Sequence, residues 1–321
     1  MNYDIIGDIH GHAEALSTLL AEMGYLDQGG AWRHPDRTAV FTGDFIDRGP
    51  RQVDAVDIVR RMVDAGSAKA ILGNHEFNAI AWYLPNPDQP GEYLRPHHSV
   101  KYGSKNFEQH RAFLDEVNGT PMHKEIIDWF LTLPLWLELD GIRVVHACWH
   151  KPFMDYLAPQ LADGNRLTPA LMVQASREPA NDQEKDSPEP SIFKAVETLS
   201  KGIEIPLPGP HRFADKDGLS RQRVRIRWWD RDASTYRKSA MLDDAAREVL
   251  PADQIPDYVR IGHDGGAPVF IGHYWLTGAP RLLSEKVACV DYSIAKGGKL
   301  VAYRWDGEPL LDSSRFYWVG K

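Results

Sequence analysis

Cysteine and long apolar runs are scarce in this chain of 321 residues. The two cysteines, Cys148 and Cys289, are too few for a disulfide framework and favour a reducing compartment. No run approaches the roughly 20 apolar residues that a membrane helix needs. The start of the chain, Met1 to Asp4, lacks the basic segment of a secretory signal. These features predict a soluble cytoplasmic protein with no membrane partner.

A basic excess is also absent, since the formal net charge is −8. Proteins that bind nucleic acids or membrane surfaces usually carry positive charge that neutralises phosphates. The sequence therefore argues against a general nucleic-acid or membrane-surface binder, although a locally basic groove stays open. A content of 43% hydrophobic and 26% charged residues is typical of globular proteins and excludes wholesale disorder. The length allows one large domain or two smaller ones.

The first quarter of the chain carries glycine-flanked clusters of potential metal ligands. There are three of them: Gly7 to Gly11, Gly43 to Gly49 and Gly73 to Glu76. Each follows a short apolar run that predicts a buried strand, and the stretches after the first two clusters have the apolar spacing of helices. Open α/β sheets place their active sites at the carboxyl ends of strands. We therefore expect the clusters to meet at one sheet edge.

The residue types in these clusters indicate a site for more than one metal ion. Asp8 and His10 are two residues apart at a strand end, so they can hold one ion together. Asp44 can join them and bridge to a second ion, because a carboxylate has two oxygens. The other candidates also follow predicted strands: Asn74, His146 and His273. This mixture of carboxylate, imidazole and amide suits Mn or Fe, and Zn is also compatible.

Two regions outside the clusters carry arginines that could bind an anion. The proline-rich segment 84–104, which contains Arg95, is either plain scaffold or a substrate-facing lid. Residues 153–256 have the composition of an insertion rather than of a second catalytic core. Within them, arginines alternate with mostly apolar residues from Arg221 to Arg227, which predicts a strand with four guanidinium groups on one face. That face is either solvated or an anion-binding wall.

The motifs resemble a known family. Their pattern is Gly7-Asp8-x-His10-Gly11, Gly43-Asp44-x-x-Asp47-Arg48-Gly49 and Gly73-Asn74-His75-Glu76, followed by His146 and Gly272-His273. It is similar to the signature of calcineurin-like metallophosphoesterases, in the branch of serine/threonine phosphoprotein phosphatases and bacterial diadenosine tetraphosphatases. The resemblance implies a four-layer α/β (α+β) sandwich, with two central mixed β-sheets flanked by helices. It covers residues 3–150 and 260–306, so residues 153–256 would be a mainly helical or irregular insertion within a single domain, 1–321.

The resemblance also implies roles for individual residues. Asp8, His10 and Asp44 would bind the first metal ion. A second ion would share Asp44 and be held by a further three residues: Asn74, His146 and His273. The two ions would clamp a phosphate and activate a water for in-line attack on phosphorus.

The remaining implied roles concern the phosphate and the leaving group. Arg48 would hold the phosphate oxygens, and His75, oriented by Asp47, would protonate the leaving oxygen. Arg95 and Arg227 are further candidates for binding the substrate. The leading hypothesis is a metal-dependent hydrolase of a small phosphorylated molecule such as a dinucleoside polyphosphate. The alternatives are a phosphoprotein phosphatase and a metal-holding scaffold that binds phosphate without turnover.

Overall fold

A computed structural model of the protein describes residues 1–214 and 218–320. The described residues form strands in the following order: β1 Asn2–Ile6, β2 Leu26–Gln28, β3 Ala31–Arg33, β4 Arg37–Phe41, β5 Ala68–Ala70, β6 Trp136–Leu139, β7 Ile142–Val145, β8 Glu204–Pro206, β9 Phe213–Ala214, β10 Ser220–Arg221, β11 Arg223–Arg225, β12 Val269–Ile271, β13 Val287–Cys289, β14 Asp291–Tyr292, β15 Lys299–Trp305 and β16 Phe316–Gly320.

The helices among the described residues are α1 Ala13–Glu22, α2 Gln52–Asp64, α3 Asn74–Tyr83, α4 Gly103–Val117, α5 Pro121–Phe130, α6 Lys151–Leu157, α7 Pro169–Ala175, α8 Asp182–Asp186, α9 Ile192–Lys201, α10 Tyr236–Ser239 and α11 Asp244–Glu248. Short 3-10 turns occupy Ala158–Gln160, Asp257–Val259, Ile294–Lys296 and Ser313–Arg315. None of these helices is both long and apolar enough to cross a membrane.

The first sheet orders its strands β14-β15-β1-β4-β5, with β16 paired to β15 on the other side. Strands β1, β4 and β5 are parallel neighbours, whereas β15 runs antiparallel to β1, β14 and β16. The second sheet has the order β13-β12-β7-β6, with β7, β12 and β13 parallel to one another and β6 antiparallel. Both sheets are therefore mixed, as predicted.

The alternation of side chains along the strands separates two apolar cores. Ile5 of β1 and Phe270 of β12 belong to one core, which contains side chains of both sheets. Their neighbours Ile6 and Ile271 belong to the other core, together with helical residues such as Leu16. Because successive residues of a strand face opposite sides, each sheet has one face toward the other sheet and one toward helices. The expected four-layer sandwich is confirmed.

The first two helices follow from their apolar spacing. In α2 the buried apolar positions are Ala55, Val56, Val59 and Met62, which lie on one face of a 3.6-residue repeat. Gly24 follows α1 with φ +90°, a backbone conformation that favours glycine and ends the helix. Both helices carry the chain from the end of one parallel strand back to the start of the next. Their return connections keep β1, β4 and β5 parallel.

The single strand predicted over residues 221–227 is wrong. Ser220–Arg221 pairs with β9, Arg223–Arg225 pairs with β8, and Arg227 lies beyond both ladders. The opposite side of this hairpin is interrupted by Pro208 and Pro210, which have no N–H group to donate to a ladder. The arginines consequently contact different partners instead of forming one wall.

The region 153–256 contacts the sandwich directly after a predicted metal ligand. The backbone N–H of Ala147, directly after His146, donates to Leu199 O of α9 over 2.8 Å. The Ala147 carbonyl accepts a hydrogen bond from Trp228 Nε1 over 2.9 Å. The chain that follows a predicted metal ligand is thus held by two separate segments of this region. The assignment of residues 153–256 as an insertion stays a prediction.

Candidate active site

The parallel strands place the predicted ligands at one edge. The three glycine-flanked clusters follow β1, β4 and β5, and His146 and His273 follow the parallel strands β7 and β12 of the second sheet. A hydrogen bond joins the sheets here, because His146 Nδ1 lies 2.6 Å from Thr42 O at the end of β4. Donation from Nδ1 leaves Nε2 of His146 free to face the other ligands.

Strained backbone is concentrated at this edge. Eight described non-glycine residues have positive φ, and five of them are predicted site residues: His10, Asp44, Asp47, Arg48 and His273, with φ between 47° and 79°. Non-glycine residues rarely adopt this conformation, and it persists only where the surroundings enforce it. The functional side chains are therefore themselves on residues of turned backbone, beside the flanking glycines.

One oxygen of Asp44 lies at the centre of the cluster. Asp44 Oδ2 is 3.3 Å from His146 Nε2, 3.8 Å from His10 Nε2 and 3.9 Å from His75 Nε2. The other oxygen, Oδ1, accepts a hydrogen bond from the His75 backbone N–H over 2.9 Å. A single oxygen therefore faces both metal-type groups of the structure, whereas the sequence suggested that each oxygen would serve one ion.

Those two groups match the predicted pair of metal sites in part. Their ligand atoms lie within 4.8 Å of one another, and both groups contain Asp44: His10, Asp44 and His75 in the first, and Asp44, His146 and His273 in the second. Asn74 belongs with the second group, because its Oδ1 lies 2.7 Å from His273 Nδ1 and 3.1 Å from His146 Nε2. His75, which we predicted as a proton donor, is the third member of the first group, and Asp8, which we predicted there, belongs to neither group.

The donor atoms fit metal ions. His10 Nε2, Asp44 Oδ2 and His273 Nε2 are buried and have no hydrogen-bond partner within residues 1–214 and 218–320. Unpartnered buried polar atoms in folded proteins require an explanation, and convergent imidazole and carboxylate atoms are explained by a bound cation. The predicted residues are therefore able to hold the metal ions that the motifs imply.

The electrostatics agree with this assignment for His10 and His273, whereas at His146 the Asp44 carboxylate outweighs burial and raises the pKa to about 10. Burial and the neighbouring His75 lower the pKa of His10 to about 4, and burial followed by Arg225 holds the pKa of His273 well below its ordinary value. Both rings are therefore neutral near pH 7, as metal ligands must be. Burial alone would raise the pKa of Asp44, but His146 and His75 hold it well below its ordinary value.

Asp8 lies beside the cluster instead of at its centre. Its Oδ2 accepts a hydrogen bond from the His273 backbone N–H over 2.9 Å, and its Oδ1 lies 3.3 Å from Thr42 Oγ1. Burial and the nearby Asp291 carboxylate raise the pKa of Asp8 well above its ordinary value. Asp291 itself accepts from the backbone N–H groups of Trp275 and Ser293. Sequence reasoning did not place these two acids together, and the role of Asp8 as a ligand stays a prediction.

Glu76 is a buried residue whose function the sequence did not predict. Its carboxylate accepts hydrogen bonds from the backbone N–H groups of Asp44, Phe45 and Gly73 over 2.7 to 3.1 Å. One side chain on α3 thereby holds together the loops after β4 and β5. The close approach requires glycine at position 43, because a Cβ there would lie 2.5 Å from Gly73 N. The last residue of the Asn-His-Glu motif therefore positions the ligands beside it.

The predicted proton donor has the predicted partner and an additional one. His75 Nδ1 lies 2.5 Å from Asp47 Oδ2, and the same oxygen lies 2.8 Å from Nδ1 of His110 on α4. The flanking imidazoles hold the pKa of Asp47 below its ordinary value although burial alone would raise it. The negative charge of Asp44 and the hydrogen bond to Asp47 outweigh burial and raise the pKa of His75. His110 had no sequence signal, since it stands alone in a helical pattern.

The three arginines that we predicted to bind the substrate lie in different surroundings. Arg48 is exposed, and its guanidinium carbon lies 5.7 Å from the ring centre of Trp275, which Lys296 Nζ approaches to 4.9 Å. Arg95 instead donates to Asn78 and Gln109 on α3 and α4. Arg227 contacts the Lys238 carbonyl and lies 3.9 Å from Asp230, within the region 153–256.

Arg225, another arginine of this row, contacts a neighbour of the metal-type cluster. Its guanidinium carbon is 5.8 Å from the ring centre of Tyr274, the residue after His273. The sequence pattern placed all four arginines of this row on one face, so it could not distinguish Arg225 from the others. The break in the hairpin makes the distinction.

Residues 1–174 match the family model described as calcineurin-like phosphoesterase, and that match covers more than half of the chain. The chain belongs to the calcineurin-like phosphoesterase family. The match includes the three motifs and His146. His273 and Arg225 lie outside it.

Several relatives of this phosphoesterase carry one name. A bis(5'-nucleosyl)-tetraphosphatase PrpE [asymmetrical] of Oceanobacillus iheyensis is 31% identical over 148 residues, which are 46% of this chain and 55% of the relative. The protein of the same name from Geobacillus thermodenitrificans is 43% identical over 148 residues, 46% and 56% of the two chains. The chain thus spans about half the length of the curated relatives it matches.

The solved structures that align with this chain are less similar to it in sequence. The crystal structure of a putative diadenosine tetraphosphatase aligns at 15% identity with a TM-score of 0.48, over 99% of this phosphoesterase and 93% of that chain. A cold-active protein-tyrosine phosphatase of a Shewanella species aligns at 20% identity with the same TM-score, over 97% and 80%.

Proposed function

We propose that this calcineurin-like phosphoesterase is a two-metal-dependent phosphohydrolase of small phosphorylated molecules. The observation that carries the proposal is the position of Asp44 Oδ2, which faces both groups of metal-type ligands and has no hydrogen-bond partner among the described residues. An oxygen shared by two groups is suited to bridging two cations. Mn or Fe is the metal we favour, with Zn as the alternative.

Bound metal ions would polarise the phosphate and make a water nucleophilic near neutral pH. The chain's own residues supply the rest of the chemistry. His75 is held by Asp47, which keeps Nδ1 occupied and directs Nε2 toward the cluster. That ring can deliver a proton to the leaving oxygen as its bond to phosphorus breaks. Arg48, exposed beside Trp275, can hold the phosphate oxygens through its planar fork.

A dinucleoside polyphosphate is the substrate class we favour. Support comes from the relatives, which are named for hydrolysis of bis(5'-nucleosyl) tetraphosphates and share the matched half of the chain. We also propose that residues 153–256 are an insertion within a single domain and that the protein resides in the cytoplasm. Recovery of the native protein from a membrane or periplasmic fraction would contradict the proposed location.

The proposal is tested by substrate screening after metal reconstitution. The purified protein is loaded with Mn, Fe or Zn and given diadenosine tetraphosphate, p-nitrophenyl phosphate and a phosphoserine peptide in parallel. We expect metal-dependent turnover, with the highest kcat/KM for diadenosine tetraphosphate. Exclusive turnover of the peptide would favour the phosphoprotein-phosphatase alternative. Failure to hydrolyse any phosphoester with any of the metals would favour a non-catalytic scaffold.

The role of His75 is tested separately. His75→Asn should lower kcat by about 100-fold or more, as loss of a general acid does, while the bound metal measured by elemental analysis stays near the wild-type amount. His98, an exposed histidine of the segment 84–104, provides the matched control, and His98→Asn should leave kcat unchanged. Equal kcat for His75→Asn and the wild type would remove His75 as the proton donor.

A further inference from the structure

A cavity of about 430 Å³ lies between α3 and the region 153–256. One wall is formed by α3 and the segment that follows it, and the opposite wall by α9 and the turn after α7. Its volume is within the range of pockets that hold small organic molecules. The first wall belongs to the part of the chain that matches the family, but most of the second wall lies beyond residue 174. The second wall is therefore contributed by residues outside the family match.

The lining of the cavity is aromatic and cationic. Phe77, Tyr102 and Phe193 line it from both walls, and Arg95, Arg177 and Lys201 contribute three positive charges. Two carboxylates, Glu178 and Glu197, are also present. Aromatic faces suit a planar ring, and guanidinium and ammonium groups suit phosphate. The carboxylates can accept hydrogen bonds from amino or hydroxyl groups of the same ligand.

Two buried donors in this lining have no partner. Arg95 Nε and Ser176 Oγ are both enclosed and lack a hydrogen bond within the described ranges. Arg95 is held in place by its other nitrogens, which donate to Asn78 Oδ1 over 3.1 Å and to Gln109 Oε1 over 2.7 Å. A cavity lining that contains a fixed cation and an unpartnered hydroxyl suits a ligand that is rich in acceptor atoms.

The cavity and the metal-type cluster share two supporting elements. On one side, Asn78 of the lining follows His75 by three residues on α3, which is close to one helical turn. On the other side, Lys201 of the lining precedes Gly202, where a Cβ would lie 2.6 Å from Tyr274 Oη and 3.5 Å from Arg225 Cδ. Tyr274 directly follows His273. The same helix, α3, thus carries Asn74 and His75 of the cluster and part of the cavity wall.

We propose that this cavity binds a nucleotide portion of the substrate, with the base among the aromatic side chains and sugar or phosphate oxygens at Arg95, Ser176 and Arg177. This inference rests on the proposed function, because that function places the phosphate of the substrate at the metal-type cluster. A nucleotide combines a planar ring, acceptor oxygens and negative charge in one molecule of the size that the cavity accepts. A peptide chain requires an open groove instead. Because α3 lines the cavity and also carries His75, the proposed proton donor, we assign this portion to the leaving group.

Ser176→Ala provides the sharpest test. Removing an unpartnered buried hydroxyl leaves no other group unsatisfied, so the midpoint of thermal unfolding should stay the same or rise. The same change removes a donor to the ligand, so binding of ADP should weaken by about 2- to 10-fold, which is the effect of one hydrogen bond. Stability and binding thus respond in different directions, which general damage to the fold would not produce.

The variant Arg177→Ala tests whether a positive charge of the lining contributes to ligand binding. Arg177 is exposed and has no ion pair within residues 1–214 and 218–320. Its removal should weaken ADP binding by about 10-fold and lower the ratio of kcat/KM for diadenosine tetraphosphate to that for p-nitrophenyl phosphate by a similar factor. Arg111, an exposed arginine on α4, is the matched control. Arg111→Ala should leave both ADP binding and this ratio unchanged.

Binding of ADP and of adenosine to the metal-free protein is measured by calorimetry, so the cavity is tested whether or not the protein turns over. Unchanged ADP affinity in both Ser176→Ala and Arg177→Ala would overturn the cavity proposal, even if metal-dependent hydrolysis is intact. Weakened ADP affinity without any hydrolysis by the wild type would support the cavity and reject the proposed function. Displacement of ADP by a phosphoserine peptide, but not by adenosine, would also overturn the assignment to a nucleotide.

Discussion

His110 Nδ1 lies 2.8 Å from Asp47 Oδ2, although the two residues are 63 positions apart in the sequence. His110 is fully buried on α4, and Asp47 is fully buried in the loop after β4. The same Asp47 oxygen holds His75, the proposed proton donor. Burial lowers the pKa of His110, so its neutral ring donates a hydrogen bond without competing for the proton of His75. His110 thereby orients the carboxylate that orients the donor.

We expect His110→Asn to impair proton donation more than the rest of the reaction. Residues that orient a functional group commonly contribute about 10- to 100-fold, and kcat should fall by this factor for a substrate with a basic leaving group, such as an alkyl phosphate. The loss should be smaller for p-nitrophenyl phosphate, whose leaving group needs less protonation. His123→Asn removes a buried histidine of α5 that contacts Tyr83 and Phe113 and serves as control. Equal losses for both substrates would indicate a purely structural role.

Asp44→Asn should abolish metal binding at both groups, because one oxygen faces all three neighbouring imidazoles. The measurement is metal content after reconstitution and dialysis, which should fall by at least 10-fold relative to the wild type. His146→Asn should affect the second group more than the first. A chelator should lower the midpoint of thermal unfolding of the wild type, since ligands of the native state stabilise it, and should not change that of Asp44→Asn. Wild-type metal content in Asp44→Asn would contradict the shared site.

Asp4 should be a main electrostatic support of the fold away from the site. Its buried carboxylate accepts hydrogen bonds from Arg37 Nε over 2.8 Å, Arg304 Nε over 3.0 Å and Tyr25 Oη over 3.1 Å. Asp4→Ala leaves these groups without their acceptor and should lower the free energy of unfolding by about 3–5 kcal/mol, as breaking a buried ion pair does. Denaturant unfolding measures the change.

The control for Asp4 uses the same arginine. Asp306 also pairs with Arg37 but is 38% exposed, so Asp306→Asn should lower the free energy of unfolding by about 1 kcal/mol or less. Losses of equal size in the two variants would show that burial does not determine the contribution of Asp4.

His150 should make stability depend on pH. Burial lowers its pKa to about 4, and an unfolded histidine titrates near ~6.5. The folded state therefore stays neutral while the unfolded state gains a proton, so stability is lost as the pH falls from about 6.5 to about 4. A shift of this size corresponds to about 3 kcal/mol.

The variant His150→Asn isolates this effect. His150 Nδ1 accepts from Phe153 N at the start of α6, and an asparagine oxygen can make the same cap. Between pH 7 and pH 4, His150→Asn should lose about 2–3 kcal/mol less stability than the wild type. His211→Asn, at an exposed position, should lose as much stability as the wild type. A pH dependence of His150→Asn identical to that of the wild type would rule out the contribution of His150.

The fold and half of the site could be predicted because their signals are local. The apolar runs before Asp8, Asp44 and Asn74 predicted strands whose carboxyl ends meet, and the sheet order β1-β4-β5 brings them together. The prediction of one strand from Arg221 to Arg227 was wrong for a non-local reason. The partner strand is interrupted by Pro208 and Pro210, so period-2 alternation did not predict where the guanidinium groups lie. Arg95 and Arg227 were equal candidates by composition, yet only Arg95 lines the cavity.

The sequence by itself determined the class of chemistry, because ligand types, their spacing and the glycines that permit close backbone approach are all encoded within short segments. Only the tertiary structure decided which atoms of these residues face each ligand group and which residues hold them in place. The packing of α4 places His110 beside Asp47. The hydrogen bond from the His75 backbone to Asp44 Oδ1 leaves Oδ2 as the one oxygen that faces both groups. Helix α9 forms one wall of a cavity whose other wall includes α3. These relationships depend on distances between residues far apart in the chain, which burial of two separate apolar cores sets and no local pattern records.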